Sequence, residues 1–233
     1  MGAALDYYYN KSKIWLPMKA ENHDPTNPGA ARTLDVSGNG NHALLGDGTT
    51  LATMPTKLQK RGYDFGSTDY LNLGDLALFN STTAFTLTSI IRNRRLTGSQ
   101  YYMGKVVDVN NQFRVRFYFP GPLMLISLGA GTNARLTVNS PNFQALDTCI
   151  FSITYNGLLG RGEKLKVYVN GSRQPTAVVS AIPAQTADLS GVDFILESSF
   201  TGQYLHTSAH SITLTAPQVQ DLHKQLLAEV NHV

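Results

Sequence analysis

Residues 35–48 read DVSGNGNHALLGDG, and what this stretch is decides how the rest of the chain is read. Three loops can be built from such a composition: a phosphate-cradling glycine loop, a calcium loop, or a tight turn feeding a strand. A phosphate loop requires Gly-Lys-Ser or Gly-Lys-Thr opening a helix. Here HALL (42–45) follows, an apolar run of strand character, which excludes that reading. Calcium seeks oxygens from carboxylates, amides and backbone carbonyls, and Asp35, Asn39 and Asn41 are the candidates to supply them. The same three side chains can instead hold the turn by hydrogen bonds to its own backbone. Gly38 and Gly40 suit both readings, since glycine adopts turn conformations that bulkier residues disfavour.

Outward from this turn the chain reads as many short strands. KIWLPM (13–18) precedes it; GYDF (62–65), DYLNLG (69–74), FTLTSIIR (85–92), QFRVRFYF (112–119), CIFSITY (149–155) and KLKVYVN (164–170) follow. Several alternate apolar and polar with period two: Phe113, Val115, Phe117 and Phe119 share one face, as do Leu165, Val167 and Val169. Gly, Asn, Pro, Asp and Ser punctuate the runs. VNGS after KLKVYV signals a hairpin, because Asn-Gly suits a type I′ turn. One segment reads as a helix: in LTAPQVQDLHKQLLAEV (214–230), Val219, Leu222, Leu226, Leu227 and Val230 recur at helical spacing, with Thr215 and Gln218 placed to cap its start. The pattern predicts an all-β fold, a two-sheet antiparallel sandwich with one short C-terminal helix. Residues 13–233 read as a single domain, preceded by an N-terminal arm at 1–12.

Composition narrows the function. Charged residues make up 15% of the chain, against about a quarter in an average protein. The net charge is +3, and the only basic cluster is Arg92, Arg94 and Arg95, too little for a nucleic-acid footprint. The single cysteine, Cys149, sits in an apolar run and permits no disulfide framework. The opening residues lack the apolar core of a secretory signal, and no run approaches the ~18 apolar residues that span a bilayer. The expectation is a soluble protein made in a cytoplasm, without membrane insertion.

Taken in order, the segments resemble laminin-G-like domains of the concanavalin A-like lectin/glucanase superfamily. DVSGNGNHALL resembles their D-x-SGNGNHG turn, YDFGSTDYLNLGD their strand-turn-strand, EKLKVYVNGSRQ their YVNG hairpin and LTAPQVQDLHKQL their closing segment. The likeness runs from about residue 13 to 227. It implies a jelly-roll sandwich of two curved sheets. Many such domains bind calcium, which makes Ca2+ the one cofactor to consider. Relatives usually carry an aspartate before the last strand, where this chain has Leu205 or His206, and that departure weakens the implied site. Standalone domains of this kind are found among phage virion proteins, as capsid decorations or tail components assembled in the host cytoplasm.

Catalytic signatures are sparse. Glycosidases on this fold use paired carboxylates spaced E-x-D-x-x-E on one strand. None of the four glutamates, Glu21, Glu163, Glu197 and Glu229, forms that motif. The nearest approach is Asp193 with Glu197. No nucleophile elbow is present. His206 and His210 have the spacing of a zinc pair but no visible third ligand. For carbohydrate, the candidates are Tyr101, Tyr102, Asn110, Asn111, Asn133 and Tyr204, rings to stack a sugar and amides to bind its hydroxyls. Tyr7, Tyr8 and Tyr9 lie ahead of the first strand. They read as an assembly contact with another subunit or particle, or as a patch docked on their own domain. The leading expectation is a non-catalytic structural and adhesion module on a phage virion. Its partners would be other virion proteins or copies of itself, with a host surface glycan as ligand. A free lectin, calcium-dependent or not, is the alternative, and a polysaccharide-degrading enzyme is the third reading.

Overall fold

Asn170 and Gly171 both take positive φ, 48° and 84°, closing the tight hairpin expected between Leu165–Val169 and Ser172–Arg173. Gly38 and Gly40, at φ 84° and 73°, likewise make the turn at the opening stretch, which then enters the strand Ala43–Leu45. The computed structural model describes residues 3–25, 31–93, 98–119, 123–132, 134–139, 148–197 and 199–231. Among these, the strands form an eight-stranded and a ten-stranded antiparallel sheet, joined face to face as a jelly-roll sandwich.

The eight-stranded sheet is built around Thr148–Asn156, Ala84–Asn93 and Gly202–His210; Ser12–Leu16 and Tyr63–Phe65 share the free edge of Gly202–His210. The centre of the ten-stranded sheet is the meander Gly98–Val106, Asn111–Phe119, Leu123–Ala130 and Arg135–Asn139. Period-two alternation puts Phe113, Val115 and Phe117 against Phe85, Leu87, Phe151 and Ile153 of the opposite sheet, all buried. Aromatic rings fill the gap: Phe79 stacks on Phe113 and Phe194 at centroid separations of 5.1 and 4.8 Å. Such pairs contribute about 0.5–1.5 kcal/mol each beyond the area they bury. The side chain of Phe119, the fourth member of the alternating set, lies outside the described residues. Lys105 is fully buried beside this core. Its amine is held by Asp75, by Asn80 Oδ1 at 2.8 Å and by the Leu76 carbonyl at 3.3 Å, which makes burial of the charge tolerable.

A second apolar layer covers the outer face of the eight-stranded sheet. The C-terminal helix α2 (Ala216–Asn231) lays Val219, Leu222 and Leu226 on Ile90, Ile150 and Tyr168. The Gln218 side chain accepts hydrogen bonds from the Thr215 backbone N–H (2.9 Å) and hydroxyl (3.0 Å), the capping expected from sequence. Reading a single helix was incomplete, because Ala3–Tyr9 also form a short helix, α1. The segment expected as an arm lies against the domain over its described part. Tyr8 is 3% exposed, its hydroxyl donates to Asp221 of α2 at 3.0 Å, and Tyr9 donates to the Val36 carbonyl. Neither described helix is long and apolar enough to cross a membrane.

Candidate functional site

Among the described residues, no helix lies on the outer face of the ten-stranded sheet. Strand pairing places one row across it: Asn72, Ile195, Gly104, Arg114, Ser127 and Arg135 are successive register partners. Gly104 is required at its centre, since a Cβ there would sit 2.6 Å from the Phe113 carbonyl and 3.1 Å from the Arg114 side chain. Arg114 forks onto Glu197, with Nε to Oε1 and Nη2 to Oε2 both at 3.0 Å, and its guanidinium stacks 3.4 Å from the Tyr101 ring centre. Such a bidentate pair fixes both side chains in one geometry. Asn72 Nδ2 donates to Asp193 at 2.8 Å while its Oδ1 accepts the Gly74 N–H at 2.8 Å, so this amide is also fixed in orientation. With Tyr70 these residues line a groove of about 660 Å³. A smaller notch of about 240 Å³ adjoins it, the two sharing Val106 and Arg114.

The six residues expected to bind sugar divide. Tyr101 lies on this face, half-buried, with its hydroxyl accepting from Arg116 Nη1 at 3.1 Å. Tyr102 and Tyr204 are corrections, because both are fully buried between the sheets and stack on each other at 4.6 Å. The cause is a bulge. The pairing of Gly98–Val106 with Asn111–Phe119 slips between Val115 and Arg116, so Met103 and Tyr101 meet successive partners and Tyr102 turns inward. The amide of Asn111 donates to Asp108 at 2.9 Å and accepts the Gly131 N–H at 3.0 Å, so it is spent on its own turn; Asn110 is exposed at the tip. Asn133 lies outside the described residues. Sequence reasoning missed Arg114, Arg116 and Asn72. The signal was present in QFRVRFYF, where the residues between the core phenylalanines are the ones that must face outward.

In the Gly-Asn loop the Asp35 carboxylate is fully engaged by donors. It accepts N–H bonds from Trp15 (2.9 Å), Ser37 (2.9 Å) and Asn41 (3.0 Å) and the Ser37 hydroxyl (2.8 Å). The amides of Asn39 and Asn41 donate to the carbonyls of Ser12 (3.1 Å) and Lys13 (2.8 Å). The loop is thus a brace that pins the first strand to the sandwich, the hydrogen-bonded alternative to a calcium loop. Among the described residues no cluster of three His, Cys, Asp or Glu is placed to hold a metal ion.

The histidine pair is buried on the other sheet, under the helices. His206 packs edge-on against Trp15 at 4.8 Å, and among the described residues neither of its ring nitrogens has a hydrogen-bond partner. His210 Nε2 donates to the Tyr8 carbonyl at 3.1 Å. Nearby, His223 of α2 accepts the Gly171 N–H on Nδ1 (2.8 Å), which makes Nε2 the donor to Ser152 (2.7 Å). Burial pushes His210 and His223 down to about 4 and His206 well below its ordinary value, with the nearby Arg61 guanidinium adding to the His206 shift. All three are therefore neutral at pH 7. Asp193 and Glu197, the candidate acid pair, both line the large groove, but each is tied to a partner, Asn72 and Arg114.

No protein-family model matches the chain, and no curated protein matches it. Solved structures do. The ligand-binding domain of botulinum neurotoxin serotype D in complex with N-acetylneuraminic acid superposes with a TM-score of 0.68 at 10% identity, covering 96% of this chain and 53% of that one. The receptor-binding domain of the botulinum neurotoxin C/D mosaic serotype gives 0.66 at 11% identity, over 93% of this chain and 52% of that one. The chain thus spans about half the length of the structures it resembles. At such identity the likeness is one of fold, a two-sheet antiparallel β-sandwich.

Proposed function

We propose that the chain is a non-catalytic adhesion module that binds a surface glycan in the groove on the outer face of its ten-stranded sheet. The observation that carries this is the groove itself: a fixed amide, two oriented carboxylates, a guanidinium and a tyrosine on a sheet face that no helix among the described residues covers. A volume of about 660 Å³ falls within the ~300–1,000 Å³ usual for small-ligand sites. Each polar group is held by a neighbour, so a sugar hydroxyl meets a preorganised partner. The receptor-binding domains that share the fold, one of them solved with N-acetylneuraminic acid, support the reading, although the match covers only half of each. The finer assignment, a laminin-G-like domain on a phage virion surface, rests on the resemblance of the sequence segments alone.

The test is a glycan array followed by titration of the best ligand against Asn72→Ala. Removing the amide should weaken binding about tenfold, as expected for a lost pair of hydrogen bonds at a desolvated site. Unchanged affinity would place the ligand elsewhere or nowhere. The same mixtures, assayed for new reducing ends, decide the enzyme reading. Turnover abolished by Asp193→Asn would replace binding with hydrolysis.

A further inference from the structure

The two apolar clusters of the molecule share no residue. The inter-sheet core takes nothing from either described helix, whereas Tyr8 of α1 and Val219, Leu222 and Leu226 of α2 belong to the layer on the outer face of the eight-stranded sheet. That layer encloses a polar row. His206, Ser208 and His210 are fully buried on one strand, and among the described residues His206 Nδ1 and Nε2, Ser208 Oγ and His210 Nδ1 have no hydrogen-bond partner. Buried polar atoms ordinarily have partners, so the helices close over this row against a resisting surface. Each helix also meets the sheet at a histidine. Tyr8 of α1 offers its carbonyl to His210, and His223 of α2 bridges the Gly171 N–H and Ser152.

We infer that this row is an acid-operated latch: protonation of the three histidines lifts α1 and α2 off the sheet while the sandwich beneath them stays folded. The latch lies on the sheet opposite the groove and does not depend on the glycan-binding reading. A proton on His223 Nδ1 removes the acceptor of the Gly171 N–H and sets two donors against each other. A proton on His210 Nδ1, or on the second nitrogen of His206, makes a charged donor with no acceptor in reach. Opening the roof hydrates all three rings, so acid favours the open state. Arg61, Lys19 and His210 face His206 and oppose its protonation, and Glu229 of α2 pairs with Arg61 at 3.5 Å and with Lys19 at 2.8 Å. At the α1 contact, Asp221 of α2 accepts the Tyr8 hydroxyl at 3.0 Å. Burial holds His210 and His223 down to about 4. The closed roof therefore has its full support above about 6.5, the ordinary histidine value, and loses it as pH falls toward 4.

Trp15 is the one tryptophan of the chain, and its ring centre lies 4.8 Å from His206 and 6.5 Å from His210, so its fluorescence reads the latch directly. The wild-type chain is titrated from pH 7 to 4 while Trp15 emission, binding of an apolar dye and the far-ultraviolet strand signal are followed. The emission should move to the red, and the dye should bind, at a pH where the strand signal is still native. Hydrogen exchange at that pH, corrected for the intrinsic rate, should find 216–231 unprotected and 111–119 protected. The double variant His206→Met, His210→Gln carries no titrating ring in the row and should open about one pH unit lower. If it fails to fold at pH 7, His223→Gln replaces it with the same expected direction, since the amide supplies both an acceptor and a donor. Loss of the Trp15 and strand signals together, or equal loss of protection in both segments, overturns the latch and leaves plain acid unfolding. An opening pH that the non-titrating variant leaves unmoved overturns it as well.

Discussion

On the eight-stranded sheet, the outer-face residues His206, Ser208 and His210 are roofed by Trp15 and two helices; on the ten-stranded sheet, Asn72, Arg114 and Arg135 are partly exposed, with Ser127 buried between the two arginines. Both rows are polar positions alternating with core residues, and the two sheets share one inter-sheet core. What differs is the cover. Under the helices polar side chains are either satisfied internally, as in the chain Thr88–Ser152–His223, or left without partners, as in His206. On the open face they are held in pairs that still present edges to a ligand. A polar row on a strand therefore indicates a binding surface only once its cover is known.

The largest expected effect breaks the sealed side with acid. His210 and His223 are held down to about 4 by burial, and an unfolded histidine titrates near 6.5. Between those values the unfolded chain binds more protons than the folded one, so stability rises with pH across the window and is lost as pH falls through it. Each histidine contributes about 3 kcal/mol above the window, and His206 adds to this in the same direction. Groups facing the site include Arg61 and Lys19, whose positive charges oppose protonation, and Glu229, which is paired with both. Urea titrations at intervals from pH 7 to 4 should show a steep fall in unfolding free energy. A flat profile would mean the histidines are more open than the packing shows.

A smaller effect sharpens the comparison at the rim of the sealed side. Asp35 holds the backbone N–H of Trp15, the residue that caps the histidine row. Asp35→Ala leaves that buried donor unsatisfied and should cost about 1–3 kcal/mol in denaturant unfolding. A chelator should leave the wild-type midpoint unmoved. If it lowers the midpoint as much as the substitution does, the carboxylate is holding calcium as well as the turn.

The architecture was largely legible before the structure, and the site was not, for one physical reason. Period-two alternation and Asn-Gly turns are local signals, so the sandwich, the Asn170–Gly171 hairpin and the capped α2 could be read from neighbouring residues. Which of two outward faces stays open is a property of chain segments far apart in sequence. Tyr102 and Tyr204 looked like loop aromatics because the bulge that turns Tyr102 inward depends on the partner strand. Arg114 and Arg116 were passed over because Glu197 and the register partner Ser127 lie in other segments. The short helix α1 carries no capping residue or apolar period strong enough to announce it; packing on α2 is what makes a seven-residue helix stable.

The smallest effect tests the comparison within three adjacent residues. Tyr8 belongs to the sealed side, 3% exposed with its hydroxyl on Asp221, while Tyr7 is 42% exposed, its hydroxyl bonded by the Lys11 amine (3.0 Å) and the Gln218 amide (3.4 Å) and its ring edge-on to Tyr8 at 5.1 Å. Tyr8→Ala removes a buried ring and should cost about 3 kcal/mol or more. Tyr7→Ala should change the stability of the monomer by less than about 0.5 kcal/mol, as for a surface substitution without a special partner. What Tyr7 retains is an exposed aromatic face beside α2, the remaining part of the tyrosine run that can serve an assembly contact. Light scattering of wild type and Tyr7→Ala at matched concentration reads that directly. A defined oligomer lost in the variant, with the melting temperature unchanged, would assign Tyr7 to self-assembly. An unchanged mass would mean that the run serves only to dock α1 on its own domain.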